Sequence, residues 1–462
     1  MDVTRSNLIG GEMLNWSDLH PGDARPAAAG PAAIALLAAT VHPEDSVLIA
    51  GPHAVDVVTA VADRVTSVDL LLRSAPDAEE LAELLHDTKG QVICGSLDRF
   101  AVDETYDVVV ALDGIDRLVG PDTADFTWSE ALDSLYSRLA PGGRLLLGAE
   151  NAFGFQRLIQ PDITAALPRD EDWGRAVTDR APTGLKPLHT ALRNVGLGAT
   201  YAVFPSLVQA DVALSTVDGF AGVVAARAVA ARNDGPVLMD PYRLVLDAAE
   251  AGMAFELAPA WYFVIGTDSP EVLPEGSVPT GNGVLLEEYL LAALRSDDQA
   301  TLRRIIPDYV AWLGTGGAGS PDNVILDGSS YRLFGAEQEL DVVEHLARFA
   351  KRALESGSRQ PWPAAADPHA LTARLASMAG ITVPEQEFRP DEVVRPRGSA
   401  EQLTTVARLA DELAHASARA ILFEGTVSGI RRSLPYRVGH GVLNPARVIR
   451  RRLKRVLRKV RR

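Results

Sequence analysis

Four acidic residues and one histidine stand where an apolar run stops, the places where a sheet can hold a side chain up to a ligand. Asp69 closes the run that begins at Val65, and Asp113 and Asp116 follow Tyr106–Leu112. Glu150, with Asn151 beside it, follows Arg144–Ala149, and His53 lies in the turn after Ser46–Ala50. A carboxylate so placed can hydrogen-bond a hydroxyl or take its proton. An imidazole titrates near neutrality and can do either. Each also has a plainer reading. Asp69 is then a polar strand end, His53 a loop residue, Asp113 and Asp116 solvated acids, and Asn151 the cap of a turn.

The runs themselves are expected to be strands. Ser46–Ala50 is the first, and Gly51-Pro52-His53-Ala54 turns into a helix over Val55–Val65, with Val58, Val61 and Ala62 on one face. Val65–Asp69 is the second strand, and Asp77 is expected to cap a helix over Glu79–His86. Gln91–Cys94, Tyr106–Leu112 and Arg144–Ala149 are strands three to five. Ala199–Phe204 and Ala210–Ser215 close the series as an antiparallel edge pair. Strand and helix alternate at short spacing, which predicts an α/β fold with a doubly wound, mostly parallel sheet of seven strands. In such a sheet the first strand–helix turn lies at the carboxyl edge, where ligands bind.

A chain of 462 residues exceeds one ordinary core. The pattern predicts an N-terminal arm over 1–33, the α/β domain over 34–217 and a second α+β domain over 218–395. A helical segment over 396–430 and a basic helix over 431–462 complete the division. Within the second domain, Phe255–Gly266 reads as a strand pair around Pro259, Gln299–Leu313 as a helix interrupted at Pro307, and Asp327-Gly328 as a hairpin turn. Nothing at Met1–Ser6 resembles an export signal. Cys94 is alone, which fits a reducing cytoplasm.

The net charge of −16 conceals a division. Residues 431–462 hold thirteen Lys and Arg and no acid, leaving 32 basic against 61 acidic residues elsewhere. In the tail, Ile449, Leu453, Val456 and Val460 recur at helical spacing among Arg450, Arg451, Lys454, Arg455, Arg458 and Lys459. A basic amphipathic helix over 445–462 predicts docking on an anionic membrane surface, the inner face of the cell membrane for a cytoplasmic protein. Nucleic acid is the rival partner, less favoured because phosphates need no apolar stripe.

The order of these stretches resembles the class I S-adenosylmethionine-dependent methyltransferases over residues 40–215. Val47–Gly51, Val65–Leu70, Tyr106–Asp116 and Leu139–Leu147 carry the likeness, the last through Leu139-Ala-Pro-Gly-Gly143. Gly148–Phe155, with its Glu150-Asn151, resembles methyltransferase-like proteins of bacterial surface-polysaccharide gene clusters. The resemblance implies S-adenosylmethionine as cofactor, contacted by Gly51, His53, Asp69, Ser96, Leu97 and Leu112, with Asp69 on the ribose. It implies Asp113, Glu150 and Asn151 near the reacting centre, with no metal. The reaction would methylate a hydroxyl of a saccharide or lipid-linked envelope precursor. The chain departs from the family where Ile49 replaces an acid, His53 and Val55 replace glycines, and Ser96-Leu97 replaces the adenine-binding acid. The alternative is a non-catalytic methyltransferase-fold scaffold for glycan assembly at the membrane. Pro321–Gly328 is faintly similar to the metal-binding region of small-molecule kinases, but Leu333–Ala336 lacks the acid that follows it there.

Overall fold

The computed structural model describes residues 6–384 apart from 21–24, 86–88, 101–103, 121–122, 124–125, 161–181, 194–195, 234–236, 268–269, 357–360, 363–364 and 366. Beyond 384 it describes residues 414, 417, 418 and 421, each helical; the rest of the expected helix over 396–430 and all of that over 445–462 lie outside the described residues. The chain divides into units 1–398 and 399–462, and both described β-sheets belong to the first unit.

The amino-terminal half of that unit contains β1 (Asn7–Gly10), α1 (Pro31–Thr40), β2 (Ser46–Ala50), α2 (Val55–Ala62), β3 (Ser67–Leu72), α3 (Ala75–Leu84) and β4 (Val92–Gly95). Then come β5 (Tyr106–Ala111), α4 (Trp128–Tyr136), β6 (Leu139–Glu150), α5 (Phe155–Ile159), α6 (Leu185–Leu192), β7 (Leu197–Ser206) and β8 (Gln209–Leu214). The rest holds α7 (Gly219–Ala230), α8 (Pro241–Glu250), β9 (Ala260–Ile265), β10 (Val272–Leu273), β11 (Val284–Leu285), α9 (Leu286–Arg295) and α10 (Gln299–Gly314). It ends with β12 (Val324–Asp327), β13 (Ser330–Leu333), α11 (Val342–Glu355) and α12 (Pro368–Met378).

Ten strands form one mixed sheet, in the order β1-β4-β3-β2-β5-β6-β9-β7-β8-β10. From β1 to β6 every pairing is parallel, and from β6 onward every pairing is antiparallel. Both faces of the central strands are buried. Leu48, Ala50, Val109 and Ala111 enter one core, and Val47, Ile49, Val108 and Val110 enter the other. Runs apolar on both faces need helices above and below, as a doubly wound sheet provides.

The sheet is wider than the seven strands expected, and its far half is wired differently. β7 and β8 pair as an antiparallel hairpin, but they are not the edge. Ala260–Ile265 forms one strand, not a pair, and inserts between β6 and β7, antiparallel to both. Every residue of Ala-Trp-Tyr-Phe-Val-Ile is buried, so the segment satisfies its burial only inside the sheet. β10 then covers β8. The sheet lobe therefore reaches past residue 217, through 273. A smaller lobe follows, with α9 to α12 and the three-stranded β11-β12-β13 sheet around Leu290, Ile306, Tyr309 and Phe349. The hairpin at Asp327-Gly328 forms as expected, with Gly328 at φ +62°. α10 runs through Pro307 as one helix. Among the described residues no helix is long and apolar enough to cross a membrane.

Candidate functional site at the carboxyl edge

The chain leaves β2 toward β3 on one side, while β5 lies on the other, so a crevice is expected at the carboxyl ends of β2 and β5. Gly51 turns the chain there at φ +87°, its N–H bonded to the Leu71 carbonyl. A Cβ on Gly51 would come within 3.1 Å of Leu118. His53 is fully buried in the same crevice. Its Nδ1–H donates to the Gly51 carbonyl at 3.0 Å, and the Leu112 N–H donates to its Nε2 at 3.0 Å. Those partners fix one neutral tautomer. Burial holds the imidazole below its ordinary pKa against the pull of Asp113. His53 thus ties the end of β2 to the end of β5, where the resemblance required a bare glycine.

Asp69 does not reach this edge. The strand expected to end there continues through Leu70, Leu71 and Leu72, all buried between β2 and β4. Asp69 is third of six residues in β3, accepting the Gln91 N–H at 2.9 Å and the Tyr106 hydroxyl at 2.8 Å. The residues that leave β3 are Arg73 and Ser74. Ser74, not Asp77, caps α3, accepting the Asp77 N–H.

The N-terminal arm runs along the edge. β1 pairs with β4, and the Ser96 N–H donates to Gly10. Ser96 is buried, its hydroxyl donating to Asp98, and the Leu97 N–H is bonded to the Leu118 carbonyl. Met13 bridges Ser74 and Ala28 bridges His53. The Ala210 N–H then donates to Ala29, fixing the arm's far end.

Charges fasten the arm between these points. Arg73 donates from Nε and Nη2 to Asp18 at 2.7 and 2.8 Å, with both side chains 2% exposed. Burial alone would raise the Asp18 pKa, but the hydrogen bond and charge of Arg73, with Arg117, bring it below the usual value. Asp77 accepts the Ser17 hydroxyl and the Asp18 N–H. Asp113 accepts five hydrogen bonds: from Arg25 Nη1 and Nη2, the Ala28 N–H, and Arg117 Nε and Nη2. Arg117 also caps the Arg25 and Pro26 carbonyls. A carboxylate offers about four lone-pair positions, so Asp113 has none left for a proton from a substrate.

The two expected groups after β6 part company. The Glu150 side chain is 52% exposed and 3.5 Å from Arg25 Nε, so it faces the crevice mouth. Asn151 is buried and fastens the chain: its Nδ2 donates to the Glu256 and Ala258 carbonyls, and its Oδ1 accepts the Phe153 N–H. Arg73, Asp18, Arg25 and Arg117 carry no such signal in the sequence, apart from the spacing of Asp113 and Arg117 by four residues. The kinase-like stretch is structural too, since the Asn323 amide donates to Ala336 and accepts the Gly335 N–H.

With the arm in place the chain itself occupies the edge where the resemblance puts S-adenosylmethionine. Leu72-Arg73 stands where β3 should present an acid to the ribose, and the chain's own arm lies along the edge.

No family model and no curated protein matches the chain. Solved structures similar to parts of it are methyltransferases. The N-methyltransferase NodS of Bradyrhizobium japonicum WM9, with S-adenosyl-L-homocysteine, is 15% identical over 38% of this chain and 76% of that one, with TM-score 0.26. The putative methyltransferase in complex with the Haloferax volcanii Trm112 activator is 14% identical over 52% and 89%, TM-score 0.31. The aminopentose methyltransferase CalS10 of Micromonospora echinaspora, with S-adenosylmethionine, is 26% identical over 25% and 46%, TM-score 0.20. At such scores the fold reading rests on the strand order of this chain alone.

Proposed function

We propose that this chain is a methyltransferase-fold protein with S-adenosylmethionine as its cofactor, and that the N-terminal arm must leave the carboxyl edge before the cofactor enters. The observation that carries this reading is the strand order β4-β3-β2-β5-β6, which opens its crevice at Gly51 and Asp113 as ligand-binding sheets do. The arm's seal is ionic at Asp18 and at Arg25, and buried ion pairs return less net stability than apolar packing of the same volume. A charged ligand can exchange for such a seal. The acceptor is a hydroxyl of a saccharide or lipid-linked precursor, a reading supported by the likeness of Gly148–Phe155. The basic tail would hold the protein at an anionic membrane.

The second reading is a non-catalytic scaffold. Arg73 at the ribose position and His53 inside the crevice favour it, because both are held by buried partners.

Calorimetric titration of S-adenosylmethionine and S-adenosylhomocysteine into the full chain and an Arg25→Ala variant separates the two. Tighter binding in the variant, by about tenfold or 1.4 kcal/mol, supports the gated cofactor site. No heat and no thermal stabilisation in either protein at millimolar ligand leaves only the scaffold.

A further inference from the structure

A second cleft lies away from the carboxyl edge, where α7, α8, α9, α11 and the turn at Pro321–Asn323 converge. Its volume is about 390 Å³, within the range of small-ligand sites. Arg227, Arg348, Lys351 and Arg352 line it with three carboxylates, Glu287, Asp322 and Glu355. Two polar atoms in its wall are buried without a partner: the hydroxyl of Tyr242, itself 5% exposed, and Oδ1 of Asp322.

The wall is otherwise organised. Arg348 donates from Nε and Nη2 to the other Asp322 oxygen at 3.2 and 2.9 Å. The Arg352 guanidinium lies 4.8 Å from the centre of the Tyr242 ring and 3.7 Å from Glu287 Oε1. Burial pushes the Glu287 carboxyl up to about 8, Arg352 opposing. The cleft holds four cations against three acidic side chains, of which Glu287 is the one pushed toward its neutral form. An unpartnered buried hydroxyl or carboxylate oxygen is costly, and a ligand that satisfies both removes that cost.

We propose that this cleft binds the phosphate monoester of a small polyhydroxylated compound. The ester oxygens meet Arg348, Arg352, Lys351 and the Tyr242 hydroxyl, and a ligand hydroxyl donates to Asp322 Oδ1. Guanidinium groups suit phosphate because paired N–H donors match its oxygens.

The test is calorimetry on the full chain with glucose 6-phosphate, glucose and inorganic phosphate. Glucose 6-phosphate should bind with a Kd below about 1 mM, inorganic phosphate about tenfold more weakly, and glucose not at all. Tyr242→Phe removes one atom from a buried ring, and Lys351→Gln alters an exposed chain, so both should fold. Each should weaken glucose 6-phosphate by about fivefold or more while circular dichroism melts stay within a few degrees of the parent. No binding of either phosphate at about 10 mM, or unchanged affinity in both variants, would overturn the site. Equal affinity for inorganic phosphate would overturn the assignment of a hydroxyl-bearing ester.

Discussion

Replacing Asp18 by Asn tests the arm's seal most directly. The side chains of Asp18 and Arg73 are each 2% exposed, joined by hydrogen bonds of 2.7 and 2.8 Å. Asparagine keeps the shape and one acceptor oxygen but removes the charge, leaving the Arg73 guanidinium buried beside Arg117 without its counterion. Breaking a buried pair on one side costs about 3–5 kcal/mol, and the surviving hydrogen bond returns about 1 kcal/mol. The expected loss is therefore about 2–4 kcal/mol. Adding Arg73→Gln removes the stranded charge, so the double variant should recover at least about 1.5 kcal/mol of it. Urea unfolding followed by tryptophan fluorescence suits the measurement, because Trp128 and Trp261 are buried in the sheet lobe. High salt should change the result little, since buried pairs are poorly screened. Asp18 titrates below its usual 3.8, so its contribution is present above that value and is lost as pH falls through the folded value. The variant should lack that acid-side loss. A single-variant cost below about 1 kcal/mol, or single costs that simply add in the double variant, would refute the reasoning.

Glu287 gives the opposite pH dependence. Its folded pKa of about 8 lies above the usual 4.5, so its stabilising contribution is complete below about 4.5 and is lost as pH rises toward 8. Glu287→Gln should flatten that loss, on the order of 4 kcal/mol, in thermal or urea melts between about pH 5 and 9. A parent protein with no loss across that window would contradict it. Tyr106→Phe removes the hydroxyl that donates to Asp69 and should cost about 1–2 kcal/mol in urea unfolding, with S-adenosylmethionine affinity unchanged. A selective loss of affinity would restore Asp69 to the cofactor site. Full-length protein should float with anionic liposomes and a version ending at Ile430 should not, because about 1 kcal/mol per basic side chain is removed with the tail. Equal flotation would exclude the membrane role.

The parallel half of the sheet is legible in the sequence because its strands carry continuous apolar runs, and Tyr106–Ala111 and Val92–Gly95 fall within a residue or two of expectation. The error at β3 has a specific cause. Val65–Asp69 looks complete because a carboxylate follows a run with three β-branched residues, Val65, Thr66 and Val68, yet Leu70–Leu72 keep the strand going and only burial between neighbours reveals it. β9 escapes for a related reason: local pattern marks Trp261–Ile265 as buried but not against which strands. The candidate site is less legible still. Its crevice is closed by Asp18 and Arg25, which lie 55 and 88 residues from their partners Arg73 and Asp113, and no local spacing encodes such pairs. Glu150 can be placed from sequence because it depends only on where β6 ends.

The position of β9 also has a consequence for synthesis. When the ribosome has made residues 1–217, β6 and β7 exist but the strand that joins them does not. Each presents a row of unpaired backbone groups and an apolar face, the kind of edge that pairs with other chains. Those edges close only after Ala260–Ile265 emerges, which keeps a half-built sheet exposed for the length of α7 and α8. A fragment ending at residue 217 should accordingly aggregate, whereas one carried through Leu273 contains every strand of the large sheet.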